Sequence, residues 1–179
     1  MKEKLKWIVV SMLFIAACSP VRVTPIGSKS GFTLQEYKSF AFLEENTLSD
    51  SIPAAYSGQV DFLKREIRKQ LQARGLAYNP SQPDLQVNIG VMVDEKVQTR
   101  ETSFRQDAPY YTGQRRYHWE SEEIPVRTYK QGIATIHLVN REQNELVWAG
   151  EVSSVLPRSE ESIEERIAEA IEKLFKQVP

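Results

Sequence analysis

The sequence predicts a single α+β domain in two layers, a small mixed or antiparallel sheet of about four strands with two helices on one face. Three observations lead to this fold class. Two segments carry apolar residues at helical spacing, one long segment alternates apolar and polar residues, and a chain of 179 residues is short for two domains. The predicted order is β-α-β, a long loop, then β-β-α.

The first strand and the first helix are predicted at residues 37–43 and 56–74. The strand is short and rich in aromatic residues, which is typical of β-structure. The helix is indicated by apolar residues at steps of three and four, which share one face, and by Gly75 just after its end. These apolar residues are Val60, Leu63, Ile67 and Leu71.

The clearest strand covers residues 85–97. Its odd positions are apolar and its other positions are mostly polar, so one face of the sheet is exposed to water. This favours a two-layer domain over a sheet covered on both faces. The apolar positions are Leu85, Val87, Ile89, Val91 and Val93.

The second half of the chain begins with residues 98–123, which show no period and are predicted to form the long loop. Two strands follow, at 124–139 and 146–155, joined by a hairpin connection. Ser159 or Ser162 is predicted to cap the last helix, with glutamates in its first turn and lysines near its end. Its buried stripe is Ile163, Ile167, Ala170, Ile171, Leu174 and Val178.

The N-terminus has the layout of a signal peptide. Lys2, Lys4 and Lys6 precede an apolar run over residues 7–17, which at about eleven residues is too short to span a bilayer. The run ends in Ile15-Ala16-Ala17-Cys18, which resembles the lipobox of bacterial lipoproteins, whose cysteine is acylated and becomes the new N-terminus. The alternative is a buried N-terminal helix with an ordinary buried cysteine.

This resemblance divides the chain into a signal peptide at 1–17, a lipidated N-terminus and flexible tether at 18–33, and one α+β domain at 34–179. Lipid chains on Cys18 would anchor the protein to the membrane. Ser19 resembles the residue that sorts lipoproteins to the outer membrane. We therefore expect a lipid-anchored outer-membrane protein whose domain faces the periplasm.

Several short segments, in this order and spacing, resemble the bacterial lipoprotein family of domain of unknown function 4136. They are the lipobox and residues 37–42 (YKSFAF), 83–88 (PDLQVN), 132–139 (GIATIHLV) and 146–150 (LVWAG). The resemblance covers nearly the whole chain after Cys18. It implies an α+β lipoprotein with no assigned reaction.

The sequence offers little sign of catalysis. It lacks a Gly-x-Ser-x-Gly elbow and the glycine-rich phosphate loops, so we expect no catalytic residue and no cofactor. His118 lies near several glutamates without metal-ligand spacing, and His137 is expected on the exposed face or at an edge of the sheet. We therefore expect no metal site, and the near-neutral charge of −1 argues against nucleic acid as a partner.

Residues 104–119 (FRQDAPYYTGQRRYHW) are the candidate binding loop. Aromatic residues and arginines dominate binding hot spots, and long loops without structure of their own are often functional. The alternative is a hairpin extension whose aromatic side chains cover its own base or the open sheet face. The candidate residues are Phe104, Arg105, Tyr110, Tyr111, Arg115, Arg116, Tyr117 and Trp119.

These observations favour a non-catalytic envelope lipoprotein that binds a protein or a glycan of the envelope or has a structural role there. The alternative is a hydrolase that acts on cell-wall or lipid substrates, with His118 and its neighbouring glutamates at its centre. It is suggested by the expected location and this cluster only.

Overall fold

The computed structural model describes residues 21–43, 56–107 and 120–179, which form a six-stranded mixed sheet with two long helices packed on one face. The strands follow the order β1-β6-β5-β4-β2-β3 across the sheet. The strands are β1 Val21–Ser28, β2 Ser39–Phe42, β3 Ala77–Tyr78, β4 Leu85–Glu101, β5 Glu123–Asn140 and β6 Glu145–Val155, and the helices are α1 Ser57–Ala73, α2 Phe104–Asp107 and α3 Glu160–Phe175, with a 3₁₀ turn at Leu34–Glu36.

The two long helices confirm the sequence prediction to within a few residues. In α1, Leu63, Ile67 and Leu71 are buried, and Gly75 follows the helix with a φ of 92°, a conformation that glycine adopts without strain. In α3, Ser159 is the N-cap, and its side chain accepts a hydrogen bond from the backbone N–H of Ser162. Both helices bury the predicted stripes against the same face of the sheet.

The alternation predicted for β4 also holds. Leu85, Val87 and Ile89 are buried against the helices, whereas Gly90 and Met92 on the opposite face are exposed. β4, β5, β6 and β1 pair antiparallel, and β2 pairs parallel with both β3 and β4. A parallel pair needs a crossover connection, and α1 lies between β2 and β4 in the chain for this reason.

The prediction of about four strands is wrong, because the sheet has six and the order of elements differs. The tether predicted at residues 18–33 contains β1, which pairs with β6 from Val21 to Ser28 and is therefore not a flexible spacer. Pro25 and Gly27 break the usual strand pattern. They are tolerated because β1 is an edge strand and has a register shift between them.

The predicted loop at residues 98–123 is also too long at both ends. β4 continues to Glu101 and β5 begins at Glu123, with a register shift at Gln98/Thr99. A short helix, α2, follows β4. The absence of alternation in this part of the sequence is explained by solvent on both faces of the strand pair, which removes the need for an apolar face.

Trp148 on β6 is the largest side chain of the core and packs near Phe175 of α3, with ring centroids 6.4 Å apart. The close contact depends on Gly150. A Cβ at this position would lie 2.5 Å from Trp148 Cη2 and 2.7 Å from Leu174 Cδ1. Gly150 therefore leaves the space that the tryptophan ring and α3 occupy.

Candidate functional site

The outer halves of β4 and β5 form a two-stranded ribbon that projects from the sheet. The pairing of β5 with β6 ends at Gln131, opposite Asp94 of β4, and the pairing of β2 with β4 ends at Val87. Beyond Asp94, out to Glu101, the two strands form ladder pairs only with each other among the described residues, and the Leu156 N–H donates one further hydrogen bond to the Lys130 carbonyl. At about 3.3 Å per residue, this ribbon extends about 23 Å beyond the rest of the sheet.

Hydrogen bonds fix the tip of the ribbon. The backbone N–H of Thr102 donates to the carbonyl of Glu122 at 2.8 Å, and the Glu122 N–H donates to the Thr102 hydroxyl at 2.9 Å. Ser121 donates its hydroxyl to the Thr102 carbonyl at 2.8 Å. These contacts hold together the residues that flank the candidate binding loop in the chain.

An ion pair between Arg100 and Asp107 ties α2 to the ribbon. The guanidinium donates to both carboxylate oxygens, and the Ser103 N–H donates to Asp107 Oδ2 at 2.8 Å. The Arg100 hydrogen bonds and the Ser103 N–H lower the pKa of Asp107 to about 2. The same pair raises the pKa of Arg100.

The partner of Asp107 is thus a ribbon residue, which the sequence analysis missed because Arg100 was assigned to the loop. The pair offsets the only acidic residue of segment 104–119. The charges of Arg105, Arg115 and Arg116 are then not balanced by an acid within the segment. This favours a partner that accepts hydrogen bonds or carries negative charge.

The structure describes only part of the predicted site. Phe104 and Arg105 begin α2 at the ribbon tip, but their side chains lie outside the description. The remaining candidate residues lie wholly outside the described residues, as do His118 and Cys18. These are Tyr110, Tyr111, Arg115, Arg116, Tyr117 and Trp119. Their roles stay predictions.

The sheet face opposite the helices carries polar side chains. His137 lies on this face, as predicted, but in a central strand and half-buried rather than at an edge. Its cross-strand neighbours are Asn88 and Ala149. The Asn88 Oδ1 atom is buried without a hydrogen-bond partner among the described residues.

A half-enclosed apolar cavity of about 90 Å³ lies between the two helices and the sheet, near the base of the ribbon. Its lining surface is almost wholly apolar, and the small side chain of Ala134 on β5 leaves space for it. The room above Gly132 is taken by Leu156, whose Cδ2 atom would lie 2.9 Å from a Cβ at that position. Other lining residues are Tyr56, Val91, Val93, Leu156, Ile163 and Arg166.

A wider polar cleft of about 610 Å³ lies at the opposite end of the sheet and includes Tyr37, Asp84 and Arg141. Asp84 Oδ2 accepts the backbone N–H groups of Lys38 and Ser39 at 2.8 and 2.9 Å. These bonds lower the pKa of Asp84, with Lys38 the largest cause. Asp84 therefore holds the start of β2 against the start of β4.

Within the described ranges 21–43, 56–107 and 120–179, no group of three His, Cys, Asp or Glu side chains is placed to hold a metal ion. In the same ranges, no helix has the length and apolar character needed to cross a bilayer.

The fold and these surfaces define an α+β protein with a one-sided sheet, a projecting ribbon and an apolar cavity. Residues 28–179 match the family described as domain of unknown function DUF4136, and the chain belongs to this family. No curated protein matches the sequence.

The chain is similar to several solved structures at low sequence identity. A PDZ domain protein from Parabacteroides distasonis is similar over 90% of this chain and 35% of its own, with a TM-score of 0.54 and 16% identity. This chain thus spans about a third of that protein's length. The PelC dodecamer from Paraburkholderia phytofirmans has a TM-score of 0.46 and 13% identity, with 86% and 96% of the two chains covered. A minor lipoprotein from Acinetobacter baumannii has a TM-score of 0.35 and 13% identity, with 80% and 93% covered.

Proposed function

We propose that the protein is a lipid-anchored, non-catalytic lipoprotein of the bacterial outer membrane, which binds a protein or glycan of the envelope through residues 104–119 at the ribbon tip. The observation that carries this proposal is the ribbon itself. It extends about 23 Å from the sheet, and its tip joins Thr102 to Glu122, which flank the candidate segment in the chain.

The position of β1 relates this ribbon to the proposed anchor. Val21 pairs with Ser154, and Ser154 pairs with Gly132 at the base of the ribbon. β1 therefore begins at the end of the sheet from which the ribbon projects. Cys18 precedes Val21 by three residues, a chain length of at most about 11 Å. A membrane that holds lipids on Cys18 would lie close to the ribbon end of the domain.

The ribbon is longer than the chain that joins Cys18 to β1, so a partner at the tip would lie at or near the same membrane. Aromatic and arginine side chains suit such a partner, because aromatic rings stack on sugars and apolar groups and arginines pair with carboxylates or phosphates. The partner class that fits is an envelope protein or glycan within reach of the membrane surface.

The anchor is tested by cell fractionation. The unaltered protein should be acylated and found with outer membranes, whereas Cys18→Ala should be neither acylated nor cleaved at that site. Ser30→Ala, at an exposed position outside the N-terminal motif, is the control, since it leaves both Cys18 and Ser19 in place. Acylation of the Cys18→Ala protein would contradict the anchor.

The binding segment is tested by photo-crosslinking in cells. A crosslinker at Val97 or Val126, both exposed on the ribbon, should give a defined product, and one at the exposed Leu146 at the far end should not. Replacement of the four candidate residues Tyr110, Tyr111, Tyr117 and Trp119 by alanine should remove the product without loss of folding. A product that persists in this variant would contradict the proposed segment.

The proposed absence of catalysis can be tested directly. The purified protein should leave peptidoglycan and phospholipids unchanged. If the protein hydrolyses either substrate and His118→Ala abolishes that activity, the hydrolase alternative would replace this proposal.

A further inference from the structure

We propose that the apolar cavity between the two long helices and the sheet binds the acyl chain of a single-chain amphiphile with an anionic head group, such as a fatty acid. The cavity is about 90 Å³ and open on one side. An engineered apolar cavity of about 150 Å³ holds a benzene molecule, so this one encloses about four carbon atoms. The remainder of a ligand would lie in the open part.

The lining supports an acyl chain rather than a polar ligand. Val91 and Val93 of β4, Ala134 of β5, Val152 of β6 and Leu156 provide carbon surface, and α1 and α3 close the other side. The polar lining residues Tyr56, Gln59, Ser153 and Ser154 contribute almost no polar surface to this wall, so a polar ligand would find few hydrogen-bond partners there. Ala134 stands between Val91 and Val152 in the sheet register, so a larger residue there would fill the cavity.

One of the lining residues carries a positive charge. Arg166 of α3 is half-buried and is among the lining residues, yet the lining surface is almost wholly apolar. Its methylene groups therefore contribute to the wall, and its guanidinium lies at the rim. Arg166 forms no ion pair with another described residue, and Glu169, one turn away, is paired with Lys173 at 2.9 Å.

A second cation lies close to the cavity. Lys130 donates to the hydroxyl of Tyr56, a lining residue, at 3.2 Å, and Glu95 is its cross-strand neighbour. Because Lys130 already has these neighbours, we assign the anionic head group to Arg166. The cavity also lies at the end of the sheet where β1 begins, so it would face lipid in the anchored protein. Only this last step rests on the proposed anchor.

The test uses the processed chain, residues 18–179, with Cys18→Ser. Within the described ranges, the buried core residues lie between Phe32 and Phe175, so this chain keeps the described core. Octanoate is titrated while the methyl NMR signals of Val91, Val93 and Leu156 are recorded, with the exposed Leu146 as the reference. We expect saturable shifts at the three cavity residues only. Because the chain carries no anchor, failure here would leave the proposed anchor untouched.

Chain length and charge give two further readouts. Affinity should rise about fourfold per methylene from butanoate to hexanoate, and less from hexanoate to octanoate, because the enclosed part is then full. Arg166→Gln should lower the affinity for octanoate by up to about fivefold and leave the affinity for 1-octanol unchanged. Equal weakening of both ligands would overturn the assigned head-group contact.

Ala134→Leu tests the cavity itself. It should abolish octanoate binding while the melting temperature stays the same or rises, because the leucine occupies the empty space. Thr135→Leu, the next residue on the opposite face, is the matched control and should bind as the unaltered protein does. The proposal is overturned if Ala134→Leu still binds octanoate, or if no saturable shift occurs at the cavity residues.

Discussion

Replacing Gly150 with alanine tests how tightly α3 packs on β6. The new Cβ would lie 2.5 Å from Trp148 Cη2 and 2.7 Å from Leu174 Cδ1, and both side chains are almost fully buried. Neither can move without disturbing the core, so the substitution acts as overpacking, which costs about 3 kcal/mol at the upper end of its range. For a domain of this size, this corresponds to a decrease of about 6–12 °C in the melting temperature.

The matched control is Gly90→Ala. Gly90 lies in the interior of β4 on the exposed face, and the nearest atom to a new Cβ is Thr135 Cβ at 4.0 Å. Alanine restricts the unfolded chain, so the control should be neutral or stabilising by up to about 1 kcal/mol. Both free energies of unfolding are measured by chemical denaturation. Equal effects of the two substitutions would refute the packing argument.

Three further predictions concern other contacts. Asp84→Ala should lower the free energy of unfolding at pH 7 by about 1–2 kcal/mol, because the N–H groups of Lys38 and Ser39, at the start of β2, lose their acceptor. The pKa of Asp84 is lowered, so its contribution is present above about pH 4 and is lost as the pH falls; the difference from the variant should shrink in acid unfolding experiments. The carboxyl NMR signal of Asp107 should titrate near pH 2, and Arg100→Gln should move that midpoint upwards towards 3.8; an unchanged midpoint would exclude the ion pair as its main cause. Val23→Asn in β1 should destabilise the domain by about 1–2 kcal/mol, whereas Thr24→Asn should change it by less than about 0.5 kcal/mol; equal tolerance would support a flexible tether instead.

The helices were predictable because their signals are local. Leu63, Ile67 and Leu71 follow one another within two turns, and Gly75 and Ser159 mark ends that depend on the backbone nearby. β1 carries no such signal, since Pro25 and Gly27 are typical of loops. Its position is determined by pairing with β6, more than a hundred residues later in the chain.

The candidate site was predictable only in part. The composition of residues 104–119 indicates a binding segment, but the ribbon that carries it depends on the pairing of Arg100 with Ile124 and of Glu101 with Glu123. The cavity could have been suspected from Ala134, a small residue on the core face of β5. Its volume depends on where the helices lie over this residue, which no local pattern specifies.

β4 and β5 each lie partly in the sheet under the helices and partly in the two-stranded ribbon. Their amide hydrogens should therefore fall into two groups that exchange at different rates. Amides near Val87 lie between neighbouring strands under the helices, so they exchange only when much of the domain unfolds. Those beyond Asp94 can open with the ribbon alone, at a much smaller free energy. The boundary falls next to Val93 and Gly132, which also line the apolar cavity. A molecule bound in the cavity would therefore contact the residues at which local opening of the ribbon ends. The rate of amide hydrogen exchange in the ribbon should then depend on whether the cavity is occupied.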